Sequence, residues 1–89
     1  MEWRIALSRQ AEKFLTRNHL ADNFVTEQIS KAILKFSGET VPLDIRQLAG
    51  VWSGYYRIRS GKIRIIFSID FYEKQVSVEV VDFRGSVYK

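Results

Sequence analysis

Arg57, Arg59, Lys62 and Arg64 stand together in the stretch Tyr56-Arg57-Ile58-Arg59-Ser60-Gly61-Lys62-Ile63-Arg64-Ile65-Ile66-Phe67. Closely spaced cations suit the binding of oxyanions. A guanidinium offers a planar fork of N–H donors that matches a phosphate, and it stays charged at working pH. Apolar and aromatic residues alternate with these cations, so a strand places the two kinds on opposite faces. Ser60-Gly61 interrupts the alternation and reads as a hairpin loop, the glycine supplying the backbone angles of a tight turn. With those two residues as the loop, Arg59 pairs with Lys62, Ile58 with Ile63, and Arg57 with Arg64. One face then carries Tyr56, Ile58, Ile63, Ile65, Phe67 and Ile69, and the other carries Arg57, Arg59, Lys62 and Arg64. Like charges directly opposite one another destabilise a sheet. A bound polyanion is the simplest explanation of such a face; a solvated outer surface is the alternative.

The rest of the chain must position that hairpin. With 89 residues, 46% apolar and 27% charged, the composition fits one soluble domain, residues 1–89, with one small core. There is no cysteine, so disulfides, thiolate metal sites and thiol nucleophiles are excluded, and one histidine cannot build a metal site alone. No metal and no cofactor is expected. The net charge of +4 suits a nucleic-acid partner. No apolar run approaches membrane-spanning length, and Met1-Glu2-Trp3-Arg4 does not open a signal peptide, so a cytoplasmic protein with no membrane partner is expected.

Trp3 to Leu7 alternates as a short strand. Ser8 is a plausible N-cap for a first helix with Ala11, Phe14 and Leu15 on one side, ending near Arg17-Asn18. Asn18-His19 reads as an interhelical turn, and a lone histidine there is more often a surface turn residue than a base. The second helix runs from Leu20 or Asp22 to Phe36, with Phe24, Val25, Ile29, Ala32, Ile33 and Phe36 on one stripe and Gly38 ending it. Gly38 to Gly54 reads as irregular. In it, Leu43, Ile45 and Leu48 tuck under the sheet, Arg46 could reach an anion but is more often, in such a stretch, an exposed loop charge, and Trp52 either stacks on a nucleic-acid base or caps the core. Phe71 to Lys74 forms a second turn. Gln75 to Val81 is the last strand, with Val76, Val78 and Val80 facing the core and Ser77, Glu79 and Val81 facing away; Glu79 is placed to offset some arginine repulsion. The expected fold is α+β: two N-terminal helices on one face of an antiparallel sheet of about four strands, in the order β-α-α-β-β-β. The other face is left open and lined with arginine.

Four pieces of this sequence resemble the RelE/ParE superfamily of bacterial toxins: Leu48-Ala49-Gly50, Tyr56-Arg57-Ile58-Arg59, Gly61-Lys62-Ile63-Arg64-Ile65-Ile66-Phe67 and Arg84-Gly85-Ser86-Val87-Tyr88. Their order and spacing carry the likeness, and the order of elements extends it over the whole chain. The resemblance implies a toxin of a toxin–antitoxin pair. The RelE branch cleaves mRNA in the ribosomal A site, the ParE branch inhibits DNA gyrase, and a small antitoxin silences either. By position, Arg57, Arg59 and Arg64 match basic strand residues of the ribonuclease branch, and Arg84 and Tyr88 match its terminal arginine and tyrosine.

The resemblance therefore implies an endoribonuclease acting without a metal, with ribosome, mRNA and a cognate antitoxin as partners. Arg57, Arg59, Arg64 and Arg84 would stabilise charge on the phosphorus. Tyr88 would serve as base, its phenolate favoured by neighbouring cations, or would stack on a nucleobase. Arg57, Arg59, Lys62 and Trp52 would hold the RNA. Some RelE enzymes carry lysine where this chain has Arg57 and Arg59. Arginine does not give up its proton, so a lysine-base mechanism does not transfer. Lys62, Lys89 and Glu79 remain lesser alternatives for the base. Two other functions stay open at this point: a ParE-like gyrase inhibitor, and a degenerate toxin that only binds an antitoxin as corepressor.

Overall fold

The computed structural model describes residues 3–83. In chain order these form β1 (Arg4–Leu7), α1 (Arg9–Arg17), α2 (Asp22–Phe36), β2 (Asp44–Gln47), one 3-10 turn (Gly50–Trp52), β3 (Tyr56–Ser60), β4 (Ile63–Asp70) and β5 (Gln75–Phe83).

Local chemistry sets the helix ends. The Ser8 hydroxyl accepts a hydrogen bond from the Ala11 amide at 3.1 Å, which satisfies a free donor of the first turn of α1. At the other end, the Leu20 amide donates to the Leu15 carbonyl (2.8 Å) and the His19 amide to the Thr16 carbonyl (3.2 Å). This is a Schellman closure, and it puts His19 at φ 56°, in the left-handed region. Gly38, at φ 100°, closes α2 in the same way. Its amide donates to Lys35 and that of Glu39 to Leu34, both at 3.1 Å. His19 thus has the turn role expected of it. Among the described residues no helix is long and apolar enough to cross a membrane.

Both helices pack on one face of a single sheet, as expected. Phe14 and Leu15 of α1 and Val25, Ile29, Ala32 and Ile33 of α2 are buried with Ile58, Ile65, Phe67, Val76, Val78 and Val81 of the sheet. An aromatic series extends this core at one end: Phe36 lies 5.0 Å from Tyr56, which stacks on Phe67 at 5.7 Å.

The sheet differs from expectation in four ways. It has five strands, in the order β1-β5-β4-β3-β2. The added strand is β2, from the stretch read as irregular. It is four residues long and turns only Ile45 toward the core, too little for alternation to register. The sheet is also mixed, because β1 runs parallel to β5. The pattern of β1 marks it as a strand but does not say beside which strand it lies.

The β3–β4 loop is Gly61-Lys62, and Ser60 pairs with Ile63, so Arg59 faces Arg64 and Arg57 faces Ile66. The expected pairs Arg59–Lys62, Ile58–Ile63 and Arg57–Arg64 do not form. The slip takes Lys62 out of the ladder into the turn but leaves the paired residues on their expected faces, because pairing moves by an even number of residues. Gly61 has φ 60° and Lys62 does not share a positive φ, a combination that suits glycine as the first of two loop residues.

Finally, the β4–β5 ladder changes register between Ile66 and Phe67, with Ile66 opposite Val80 and Phe67 opposite Val78. Glu79 is the extra residue of a bulge. Val81 therefore turns to the core, fully buried, while Val80 joins the outer face, the reverse of the expected assignment. The Ser8 hydroxyl donates to the Glu79 carbonyl at 2.6 Å, tying the bulge to the start of α1. The Gln10 amide completes the join, donating to the Val81 carbonyl at 2.9 Å and accepting from the Val81 amide at 3.0 Å.

Candidate nucleic-acid interface

The sheet face away from the helices carries two cross-strand rows at the end near the Gly61-Lys62 turn. One row reads Asp44, Arg59, Arg64, Asp82 across β2, β3, β4 and β5. The next reads Arg46, Arg57, Ile66, Val80. Arg57, Arg59 and Arg64 thus share one face, as expected from sequence. The counter-charges in the rows are aspartates at either end; Glu79 lies in the bulge and does not belong to them.

Arg57 is 4% exposed, and Arg64 is buried as well. One carboxylate meets Arg57: its Nη2 donates to Asp44 Oδ1 at 3.0 Å, and the Asp44 side chain is 54% exposed. Burial holds the Arg57 pKa below the ordinary arginine value. Arg59 adds to that lowering, Asp44 opposes it, and Arg64 and Arg46 lower it further. Among the described residues, the buried Nε atoms of Arg57 and Arg59 have no hydrogen-bond acceptor. Buried donors normally find one, and leaving one unmet costs about 1–3 kcal/mol. A guanidinium cluster with donors still to be satisfied is suited to receive the oxygens of a phosphate diester.

The other expected site residues are placed less uniformly. Lys62 occupies the hairpin turn and is exposed, beyond the paired cations. Trp52 ends the 3-10 turn that precedes β3, at the other end of that strand from Lys62. It is half-buried and edge-on to Tyr55, with centroids 5.3 Å apart at 82°, and it is not among the side chains packed on the core. Arg84, Tyr88 and Lys89 lie outside the described residues. β5 ends at Phe83, opposite Ile63, beside the turn that holds Lys62.

One participant was placed in a loop by the sequence reading, and another escaped it. Arg46, taken as a loop charge, is exposed on β2 directly opposite Arg57. Asp44, its neighbour on the same face, is the ion-pair partner of Arg57. The alternation Asp44-Ile45-Arg46 was the available signal, a single polar–apolar–polar step. Among the described residues, no group of three or more His, Cys, Asp or Glu side chains could hold a metal ion.

No protein-family model matches the sequence, and a comparison with curated proteins finds no match. Solved structures do match. RelE in the archaeal RelE–RelB complex from Pyrococcus horikoshii is 25% identical, with a TM-score of 0.60 over 97% of this chain and 99% of that one. A chain of the E. coli DinJ–YafQ toxin–antitoxin complex is 16% identical, with a TM-score of 0.68 over 100% of both chains. A chain of the YoeB–YefM complex from Staphylococcus aureus is 15% identical, with a TM-score of 0.62 over 94% of this chain and 99% of that one. Similarity at such identities is similarity of fold, and it extends over nearly the full length of each chain.

Proposed function

We propose that this chain, which has the fold of the RelE/ParE-like toxins, is the toxin of a toxin–antitoxin pair and an endoribonuclease that cleaves mRNA on the ribosome. The observation that carries the reading is the arginine face: Arg46, Arg57, Arg59 and Arg64 on the side of the sheet that the helices leave open. The similar structures of RelE with RelB, YafQ with DinJ and YoeB with YefM support a partner antitoxin.

Cleavage of RNA by its own 2′-hydroxyl has three requirements. The hydroxyl loses a proton, the crowded phosphorus is stabilised as charge builds on its oxygens, and the leaving 5′-oxygen gains a proton. Arg57, Arg59 and Arg64, joined by Arg84, supply fixed positive charge for the second task, often the largest contribution to catalysis. The first task falls to Tyr88, whose phenolate the cations would favour. Lys62 and Trp52, at opposite ends of β3, would hold RNA on either side of the reacting phosphate. The ribosome supplies the alignment that a shallow face does not, a contribution worth several kcal/mol when two reacting groups are held in register.

The test is induced expression of the unaltered chain and of Tyr88→Phe, with primer extension on a translated reporter mRNA. Cleavage within codons that disappears in the variant, and that disappears when initiation is blocked, is the expected result. Growth arrest without mRNA cleavage would replace this reading with gyrase inhibition. Absence of arrest would leave an antitoxin-binding role alone.

A further inference from the structure

We infer that β2 supplies a phosphate subsite, built from Arg46 and Arg57, which Asp44 occupies in the free protein as an exchangeable counter-anion. The inference rests on the reading above in taking RNA as the ligand, and it adds a strand to the site.

Three observations carry it. First, Arg57 is almost wholly buried, yet the carboxylate on its Nη2 is more than half exposed. The oxygen that satisfies the buried donor can therefore swing into water without disturbing the core. Second, the pair is a minority charge: Asp44 meets a guanidinium that also feels Arg59, Arg64 and Arg46, each disfavouring further positive charge at Arg57. An anion is favoured there, and a phosphate diester offers Arg57 an oxygen in place of the carboxylate's, with a second oxygen to spare. Third, Arg46 is the exposed member of the cross-strand pair Arg46–Arg57, so an arriving phosphate meets it before it meets Arg57. The order of events follows. Arg46 captures the phosphate, Asp44 turns out to solvent, and the freed Nη2 and the unmet Nε of Arg57 donate to two phosphate oxygens.

Because the carboxylate competes with the ligand, removing it has opposite effects on the empty and the loaded protein. Asp44→Asn lowers the melting temperature in phosphate-free buffer, and inorganic phosphate restores more of it than it adds to the unaltered chain. By fluorescence anisotropy, the same variant binds a single-stranded RNA oligonucleotide about threefold more tightly or better. Glu27→Gln, an equal change of charge on the exposed side of α2, shifts affinity by less than about twofold because the solvent screens it. Arg46→Gln weakens RNA binding and reduces the dependence of log K on log salt by about 0.7. In the unaltered protein, titration with inorganic phosphate moves the Arg57 Nε–H resonance, a readout that no folding defect can mimic. An Asp44→Asn affinity equal to or weaker than that of the unaltered chain would overturn the inference. So would an Arg57 resonance that phosphate leaves in place, or an unchanged salt slope for Arg46→Gln. If these measurements come out as expected while no ribosome-dependent cleavage is found, the subsite stands and the nuclease reading falls.

Discussion

Arg59 and Arg64 are directly paired across the β3–β4 hairpin, with Asp44 and Asp82 on their outer sides. Two like charges face to face weaken a sheet, and the flanking carboxylates offset only part of that. The arrangement is a stability cost carried at the proposed binding surface. Arg59→Gln is expected to stabilise the fold by about 0.2–1 kcal/mol while lowering mRNA cleavage by about 100-fold or more. Thermal melts and primer extension on the same variant would check both signs; a variant that is less stable and fully active would contradict the account.

The bulge in β5 is dispensable for the two faces but not for the join to α1. Deleting Glu79 leaves Val78 and Val81 on the core side, because the strand simply regains regular pairing. The deletion is therefore expected to fold, losing about 1 kcal/mol from the hydrogen bond that Ser8 makes to residue 79. Inserting one residue after Val80 instead drives Asp82 toward the core side and is expected to prevent folding. Circular dichroism melts of the two variants distinguish them.

His19 closes α1 through its backbone, in a conformation that glycine adopts at no steric cost. His19→Gly is expected to leave cleavage unchanged and to raise stability by up to about 1 kcal/mol. A loss of activity on this substitution would return the histidine to the list of bases.

Gln10 joins α1 to both backbone groups of Val81, where β1 no longer covers β5. Gln10→Ala is expected to cost about 1–3 kcal/mol, the value of leaving strand groups short of partners. Hydrogen exchange at the Val81 amide should accelerate more than at Ile65, while affinity for RNA stays the same.

The elements with several apolar residues in register were legible. Ser8 and Gly38 mark helix ends by chemistry alone, and the α2 stripe and the alternation of β3 and β4 put the arginines on one face even though the paired residues were misassigned. Where a single residue decides, the sequence was ambiguous. β2 turns one apolar side chain inward, and the hairpin loop could begin at Ser60 or Gly61 without moving any residue to the other face. The bulge had a signal that went unread: unbroken alternation from Val76 would have put Asp82 in the core, and an extra residue avoids this. Asp44 and Arg46 followed β2 out of view, since one polar–apolar–polar step is too short to mark a strand.

The parallel pairing of β1 with β5 sets a condition on how the molecule comes into being. The first strand and the last are neighbours, and Ser8 bonds to a carbonyl 71 residues further on. β1 cannot find its place until β5 exists, and contacts of such long separation fold slowly. A chain still being synthesised holds its helices without the strand that completes the sheet. The arginine face, whose rows end on β5, is likewise unfinished until that strand has been made.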